Sequence, residues 1–188
     1  DDTLKIDIDD FSNAIESGSV NVALVIHYFG FCRNDMTAIK ALCVKHNVLL
    51  VEDCAHAFQL GVNDQRIGNY GDFSFYSLHK YLATSAGGAL KINTNTIRLP
   101  QLPEHKHIAT ADLEQYAKTQ FSQVAQARRN NFRSYAKLLP LSEEIEVMFD
   151  LTEVDIPQSF PIRVKNTLRE KLYFYLIENN IPVTALYY

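Results

Sequence analysis

The sequence predicts an α/β protein: a mixed, mostly parallel sheet with flanking helices, followed by part of a smaller C-terminal α/β domain. Three observations carry this expectation. A strand-like, a helix-like and a second strand-like segment follow one another between Val20 and Asp53, and a right-handed crossover would make the two strands parallel. Two further strand-like runs, residues 72–77 (DFSFYS) and 88–92 (GALKI), come next. Beyond Pro140 the strand and helix patterns resume on a smaller scale.

Taken in order, residues 20–29 (VNVALVIHYF) are rich in β-branched and apolar side chains and meet Gly30, so they read as a buried strand. Asn34 or Asp35 can cap the helix that follows, in which Met36, Ile39, Leu42 and Cys43 recur at helical spacing, and Asn47 stands where its C-cap would lie. The continuous run Val48, Leu49, Leu50 and Val51, ended by Glu52 and Asp53, predicts a strand covered on both faces. Between residue 92 and Thr110 an irregular stretch with Pro100 and Pro103 marks the expected boundary, dividing the chain into residues 1–110 and 111–188. From Asp112 to Leu139 the apolar residues trace one face of a single long helix that stops at Pro140, with Arg128, Arg129 and Arg133 on its solvated side. A strand over 159–164 (SFPIRV), a helix over 167–178 and a strand over 181–187 complete the smaller unit, the last running to the final Tyr187-Tyr188 pair.

Composition narrows the function. Eighteen basic against 22 acidic residues leave a net charge of −4, which argues against a nucleic-acid clamp or a polybasic membrane binder. No apolar run approaches the ~20 residues of a membrane span, and the acidic DDTLKIDIDD start is unlike a secretory leader, so a cytoplasmic protein is expected. Cys32, Cys43 and Cys54 match no zinc spacing and form an odd set, which predicts reduced, structural thiols. A Cys54–His56 dyad would place its members poorly for hydrogen bonding, and His105 with His107 lacks further metal ligands nearby in sequence. No Gly-rich phosphate loop of the P-loop or dinucleotide type is present, nor a paired-histidine zinc helix or nucleophile elbow.

In an open α/β sheet, ligands collect outside the carboxyl ends of the strands, and Asp53 ends an apolar strand there. A carboxylate so placed needs a cation or a protonated heterocycle nitrogen beside it; a helix cap or a surface salt bridge is the plainer alternative. His56 follows three residues later. Lys80 follows a strand and precedes the Gly87-Gly88 pair, on a loop where a partly desolvated amine could act as a nucleophile; an ordinary surface lysine is the alternative there.

The ordered motifs EDCAHA, QRIGNYGDFSFYSLHK and GGALKIN resemble the DegT/StrS-type family of nucleotide-sugar aminotransferases, fold-type I enzymes that use pyridoxal 5'-phosphate (PLP). The likeness begins in DDTLKIDIDDF, passes through VALVIHYFG, and returns in SFPIRVKN and LIENNIPVTALYY. The resemblance implies Lys80 as the Schiff-base lysine, Asp53 as the partner of the pyridinium nitrogen, His56 beside the cofactor near its ring oxygen, and Ser77, or else Ser74, as a donor to the phosphate. In the family's commonest pattern the serine lies further upstream of its lysine than Ser77 does here. The family's preceding segment, with its phosphate loop and stacking aromatic, has no counterpart, nor does the asparagine-bearing loop after the Gly-Gly strand. The resemblance therefore implies an internal segment of a homodimeric enzyme, without turnover from these residues alone. The implied reaction moves an amino group from an amino acid, glutamate by resemblance, to a nucleotide-linked keto sugar, for cell-surface polysaccharide or secondary-metabolite synthesis. A PLP-dependent sugar dehydratase, which would favour histidine at the position of Lys80, and a non-catalytic partner or regulatory protein retaining the fold are the alternatives.

Overall fold

The computed structural model describes residues 3–57, 67–95, 97, 100–101, 103, 107–139, 142–165 and 168–185. Helix α1 (Ile8–Glu16) starts at Asp7, whose carboxylate accepts from the backbone N–H groups of Asp9 and Asp10. Strand β1 (Val22–Ile26) follows, then α2 (Met36–Lys45), capped by Asp35 through Ala38 N at 3.0 Å and closed by Asn47 at a left-handed φ of 55°. Strand β2 (Leu49–Cys54) runs parallel to β1, and β3 (Phe73–Ser77) parallel to β2. Strand β4 (Gly88–Ile92) returns antiparallel to β3, giving the order β1-β2-β3-β4 and the mixed, mostly parallel sheet that was expected.

Strand β1 is shorter than its apolar run because the chain leaves the sheet after Ile26. Phe29 and Gly30 turn through positive φ, and their carbonyls instead accept from Gln158 N at 2.8 Å and Ile156 N at 3.1 Å. Helix α2 covers one sheet face, where Met36, Ile39 and Cys43 pack with Val25, Leu50 and Ile15; burying each large aliphatic side chain is worth about 1.5–3 kcal/mol. The expectation that both faces of β2 are covered holds for one face only. Leu50, Glu52 and Cys54 are buried, whereas Leu49, Val51 and Asp53 are half-buried. The same open face carries Val22, Leu24, Ile26, Leu90 and Ile92, which are 37–55% exposed.

The single long helix is instead two helices, α3 (Thr110–Lys118) and α4 (Phe121–Leu138). Thr119 and Gln120 break it: the Thr119 hydroxyl donates to Gln115 O at 2.7 Å, and the turn brings the Tyr116 and Phe121 rings edge to face at 5.3 Å. Leu139 is extended, as a residue preceding proline should be, and Pro140 lies outside the described residues.

Strand β5 (Ile145–Val147), which the sequence pattern did not reveal, pairs antiparallel with β6 (Ile162–Val164), the second half of the expected SFPIRV strand. Helix α5 (Leu168–Glu178) follows; Thr167, its expected start, is not among the described residues. Residues 181–185 form no strand, because Asn180 takes a left-handed φ of 59° and Pro182 offers no N–H to a ladder. The Tyr187-Tyr188 end lies outside the described residues.

Two hydrophobic clusters draw on residues from both sides of residue 110. Leu78, Tyr81 and Leu82 pack with Ala125 and Ile156. Phe29 and Phe31 pack with Phe132 and Phe149, and the Phe31 ring lies 4.7 Å from that of Phe149. Among the described residues no helix is long and apolar enough to cross a membrane.

Candidate functional site

Strand register brings the expected site residues to one edge. Asp53 lies beside Phe75 in the parallel β2–β3 pair, and Ser77 is two residues further along β3, so Asp53 and Ser77 share the open face at the carboxyl end of the sheet. After Ser77 the chain makes one 3₁₀ turn, Leu78–Lys80, anchored by buried Leu78, whose N–H donates to Gly87 O at 3.0 Å. Gly87 adopts a φ of +113°, a backbone conformation that strains any residue with a side chain, so the lysine turn closes over glycine. Lys80 itself is half-buried.

Asp53 is partly what its plainer reading foresaw, since Oδ1 accepts from Ala55 N at 2.9 Å and caps the turn carrying His56. The His56 ring lies against Phe29, with centroids 6.0 Å apart. Burial lowers the His56 pKa from its ordinary value of 6.5, the Lys80 charge lowers it further, and Asp53 opposes both. Lys80 and Asp53 thus act on one imidazole. Ser77 Oγ lies 3.4 Å from His79 Nδ1. Ser74 is wholly buried and donates to Gly68 O at 3.0 Å, so of the two serines only Ser77 faces the site.

Glu52 points the opposite way from Asp53, into the core. Its carboxylate meets His27 Nε2 at 3.0 Å and accepts from the backbone N–H groups of Gly68, Tyr70 and Gly71 at 2.8, 2.8 and 2.5 Å. Burial pushes its pKa upward, but His27, Gly71 N and Gly68 N outweigh burial and hold it below its ordinary value. His27, Glu52 and Cys54 bring potential metal-ligand atoms within 4.8 Å of one another; with three amide donors on Glu52, the carboxylate acts as the anchor of the 68–71 loop. The cysteines are free and unsuited to nucleophilic work: burial pushes Cys32 up to about 11 and Cys54 well above an ordinary thiol. His105 is not among the described residues, so the His105–His107 pair lies outside the description.

Tyr81 and Arg128 join the site although their roles are not evident in the motifs. Tyr81 Oη donates to His56 O at 2.7 Å, tying the lysine turn to the histidine turn. Arg128 is not solvated. Its guanidinium stacks on Tyr81 at 4.5 Å and donates to Lys80 O at 2.7 Å and Gln158 O at 3.1 Å. Arg129 likewise donates to Asp155 O and Glu153 O, both at 2.9 Å, and Arg133 lies 3.9 Å from the Glu153 carboxylate. Arg128 and Arg129 thus face the 150–158 segment rather than water, whereas Arg133 stays largely solvated, as expected for the polar side of the helix.

The donor set fits the cofactor implied by the sequence motifs. A carboxylate for a protonated ring nitrogen, an amine and a hydroxyl for a phosphate gather at one sheet edge, beside an imidazole biased toward its neutral form.

Comparison with known proteins finds similar chains. GDP-perosamine synthase of Vibrio cholerae is 28% identical over 98 residues, covering 51% of this chain and 26% of that protein. UDP-N-acetyl-3-dehydro-alpha-D-glucosamine 3-aminotransferase of Acidithiobacillus ferrooxidans is 32% identical over 94 residues, covering 44% and 25% respectively. The chain thus spans about a quarter of the length of the curated relatives it matches. In fold it is similar to the aminotransferase TlmJ of Streptoalloteichus hindustanus, with a TM-score of 0.69 at 20% identity over 85% of this chain and 50% of that one. An aminotransferase family model runs through β1, the Asp53 turn, Lys80 and β4, matching residues 1–99. On that match over more than half its length, the chain belongs to the DegT/DnrJ/EryC1/StrS aminotransferase family.

Proposed function

We propose that this chain carries the lysine-bearing half of a PLP-dependent sugar aminotransferase site, moving an amino group from an amino acid to a nucleotide-linked keto sugar. The observation that carries the reading is the convergence of Asp53, Ser77, His56 and Lys80 at the carboxyl edge of the sheet. The curated relatives, a GDP-perosamine synthase and an aminotransferase of a UDP-linked dehydro sugar, support the substrate class. Glutamate as donor, a homodimer and a cytoplasmic setting rest on the family resemblance. In this reading residues 1–110 serve the cofactor, while residues 111–188 brace the lysine turn and begin the small domain.

When bound, PLP supplies an electron sink that stabilises negative charge at the carbon losing its proton. Lys80 Nζ would hold the group covalently and, once the incoming amine had displaced it, would be free to take a proton from one carbon and return it to another. Asp53, fixed by Ala55 N, keeps a proton on the heterocycle nitrogen. His56, held neutral by burial and by Lys80, flanks the ring as a hydrogen-bonding group without adding positive charge. The Ser77 hydroxyl donates to the phosphate.

Borohydride reduction of the full-length protein with PLP, followed by peptide mapping, tests the assignment. A visible band that borohydride abolishes and a pyridoxyl adduct on Lys80 are expected. An adduct on Lys91 or Lys118, or no band at all, overturns the reading, and the second result favours a non-catalytic protein of this fold. Asp53→Asn should keep the circular dichroism of the wild type while the glutamate-dependent loss of the band slows by about 10³-fold, ~4 kcal/mol of barrier.

A further inference from the structure

We propose that Arg128 is a positioning residue for Lys80: its guanidinium fixes the peptide plane that aims the lysine side chain and ties that plane to the 156–158 segment. The inference rests on the reading of Lys80 given above and adds to it a residue outside the matched 1–99 region.

The lysine turn has little of its own to hold it. It is one 3₁₀ turn of three residues, and the N–H groups of Tyr81 and Leu82 both return to Leu78 O. The carbonyl of Lys80 points the other way, where Arg128 Nη2 donates to it at 2.7 Å. Holding that oxygen fixes ψ of Lys80, and hence the angle between its Cα–Cβ bond and the next peptide. The next residue is held too, because the guanidinium lies 4.5 Å from the Tyr81 ring centroid while Tyr81 Oη donates to His56 O. On its other side, Arg128 Nη1 reaches Pro157 O at 3.3 Å and Gln158 O at 3.1 Å. One planar group thus spans two consecutive residues of the lysine turn and two of the later segment. A lysine ammonium, a single point of charge, cannot stack and fork in this way.

Arg129 supplies the internal control. It grips the same later segment, at Glu153 O and Asp155 O, by a set of contacts that does not include the lysine turn. A role confined to docking the segment would make the two arginines equivalent.

The test compares the full-length protein with its Arg128→Lys, Arg128→Met and Arg129→Met variants, using three readouts. These are amide hydrogen exchange of Tyr81 and Leu82, the rate at which acetic anhydride acylates Lys80 relative to exposed Lys137, and the share of borohydride-fixed pyridoxyl on Lys80. Both Arg128 variants should exchange Tyr81 and Leu82 about tenfold faster. They should also change the relative acylation of Lys80 and lower its pyridoxyl share about fivefold. Arg129→Met should lower Tm while moving none of the three by more than about twofold. Full rescue by Arg128→Lys, or equal losses in Arg129→Met, overturns the proposal. Should Arg128→Met fail to fold, Arg128→Lys carries the comparison. If wild-type pyridoxyl lands on another lysine, the functional reading fails while amide exchange still judges the clamp.

Discussion

His56 reports on the site without any cofactor, because its ionisation feels both flanking charges. Burial and the Lys80 cation hold it below 6.5, and Asp53 pulls it back up. Removing the cation in Lys80→Met should therefore raise the His56 pKa, and removing the anion in Asp53→Asn should lower it further, as followed by the imidazole carbon-bound proton in an NMR titration. An unmoved resonance in Lys80→Met would show that the two side chains do not share a field. The shared sheet edge of Asp53, His56 and Lys80 was legible in the sequence because each follows a strand-like run, while the roles proposed for them came from the family resemblance and not from residue chemistry alone. Arg128 was legible in principle. Phe121, Ala125, Arg128 and Phe132 stand four, three and four residues apart, which sets the arginine on the buried stripe of α4, between Ala125 and Phe132. Its charge hid that position, since a guanidinium on an apolar stripe has meaning only once the carbonyls it meets are in place.

At the scale of elements, the turn after β1 is the tightest fit. Gly30 has a φ of +88°, and a Cβ there would lie 2.0 Å from Ile156 O. Gly18, at a φ of +72°, would meet nothing within 4 Å. Urea unfolding should therefore find Gly30→Ala destabilised by about 2–4 kcal/mol and Gly18→Ala by only ~1 kcal/mol, the cost of the backbone conformation alone. Similar losses would show that the 29–30 turn can move away from 156–158. Local signals located α2 and β4 well, because Asp35 and Asn47 punctuate the one and the Gly-Gly pair starts the other. They merged α3 with α4, since no glycine or proline stands at Thr119-Gln120 and the break comes from a side chain bonding back to its own helix. Strand β5 carries only three residues and exists through its pairing with β6, a long-range contact that local periodicity does not record.

For the molecule as a whole, acid should be the sensitive direction. The pKa of Glu52 is lowered on folding below its ordinary 4.5, so its contribution is fully present above that value and is lost as pH falls through the folded value. Asp72 acts in the same sense: burial pushes its pKa up, but Leu50 N and Lys40 outweigh burial and hold it below 3.8. Urea midpoints taken from neutral pH down to about pH 3 should fall below about pH 4.5, and Glu52→Gln should lose ~3 kcal/mol at neutral pH while showing a flatter acid limb. An acid limb as steep as that of the wild type would place the linkage elsewhere. The Arg128 clamp also has a consequence in time. Arg128 lies 48 residues after the carbonyl it holds, and the Gln158 carbonyl another 30 residues later. On a ribosome adding about 5–20 residues per second, strands β1 to β4 are complete several seconds before the guanidinium emerges. Through that interval water solvates the Lys80 carbonyl, so the lysine turn reaches its final shape only after Arg128 and the 157–158 carbonyls have followed it into the open.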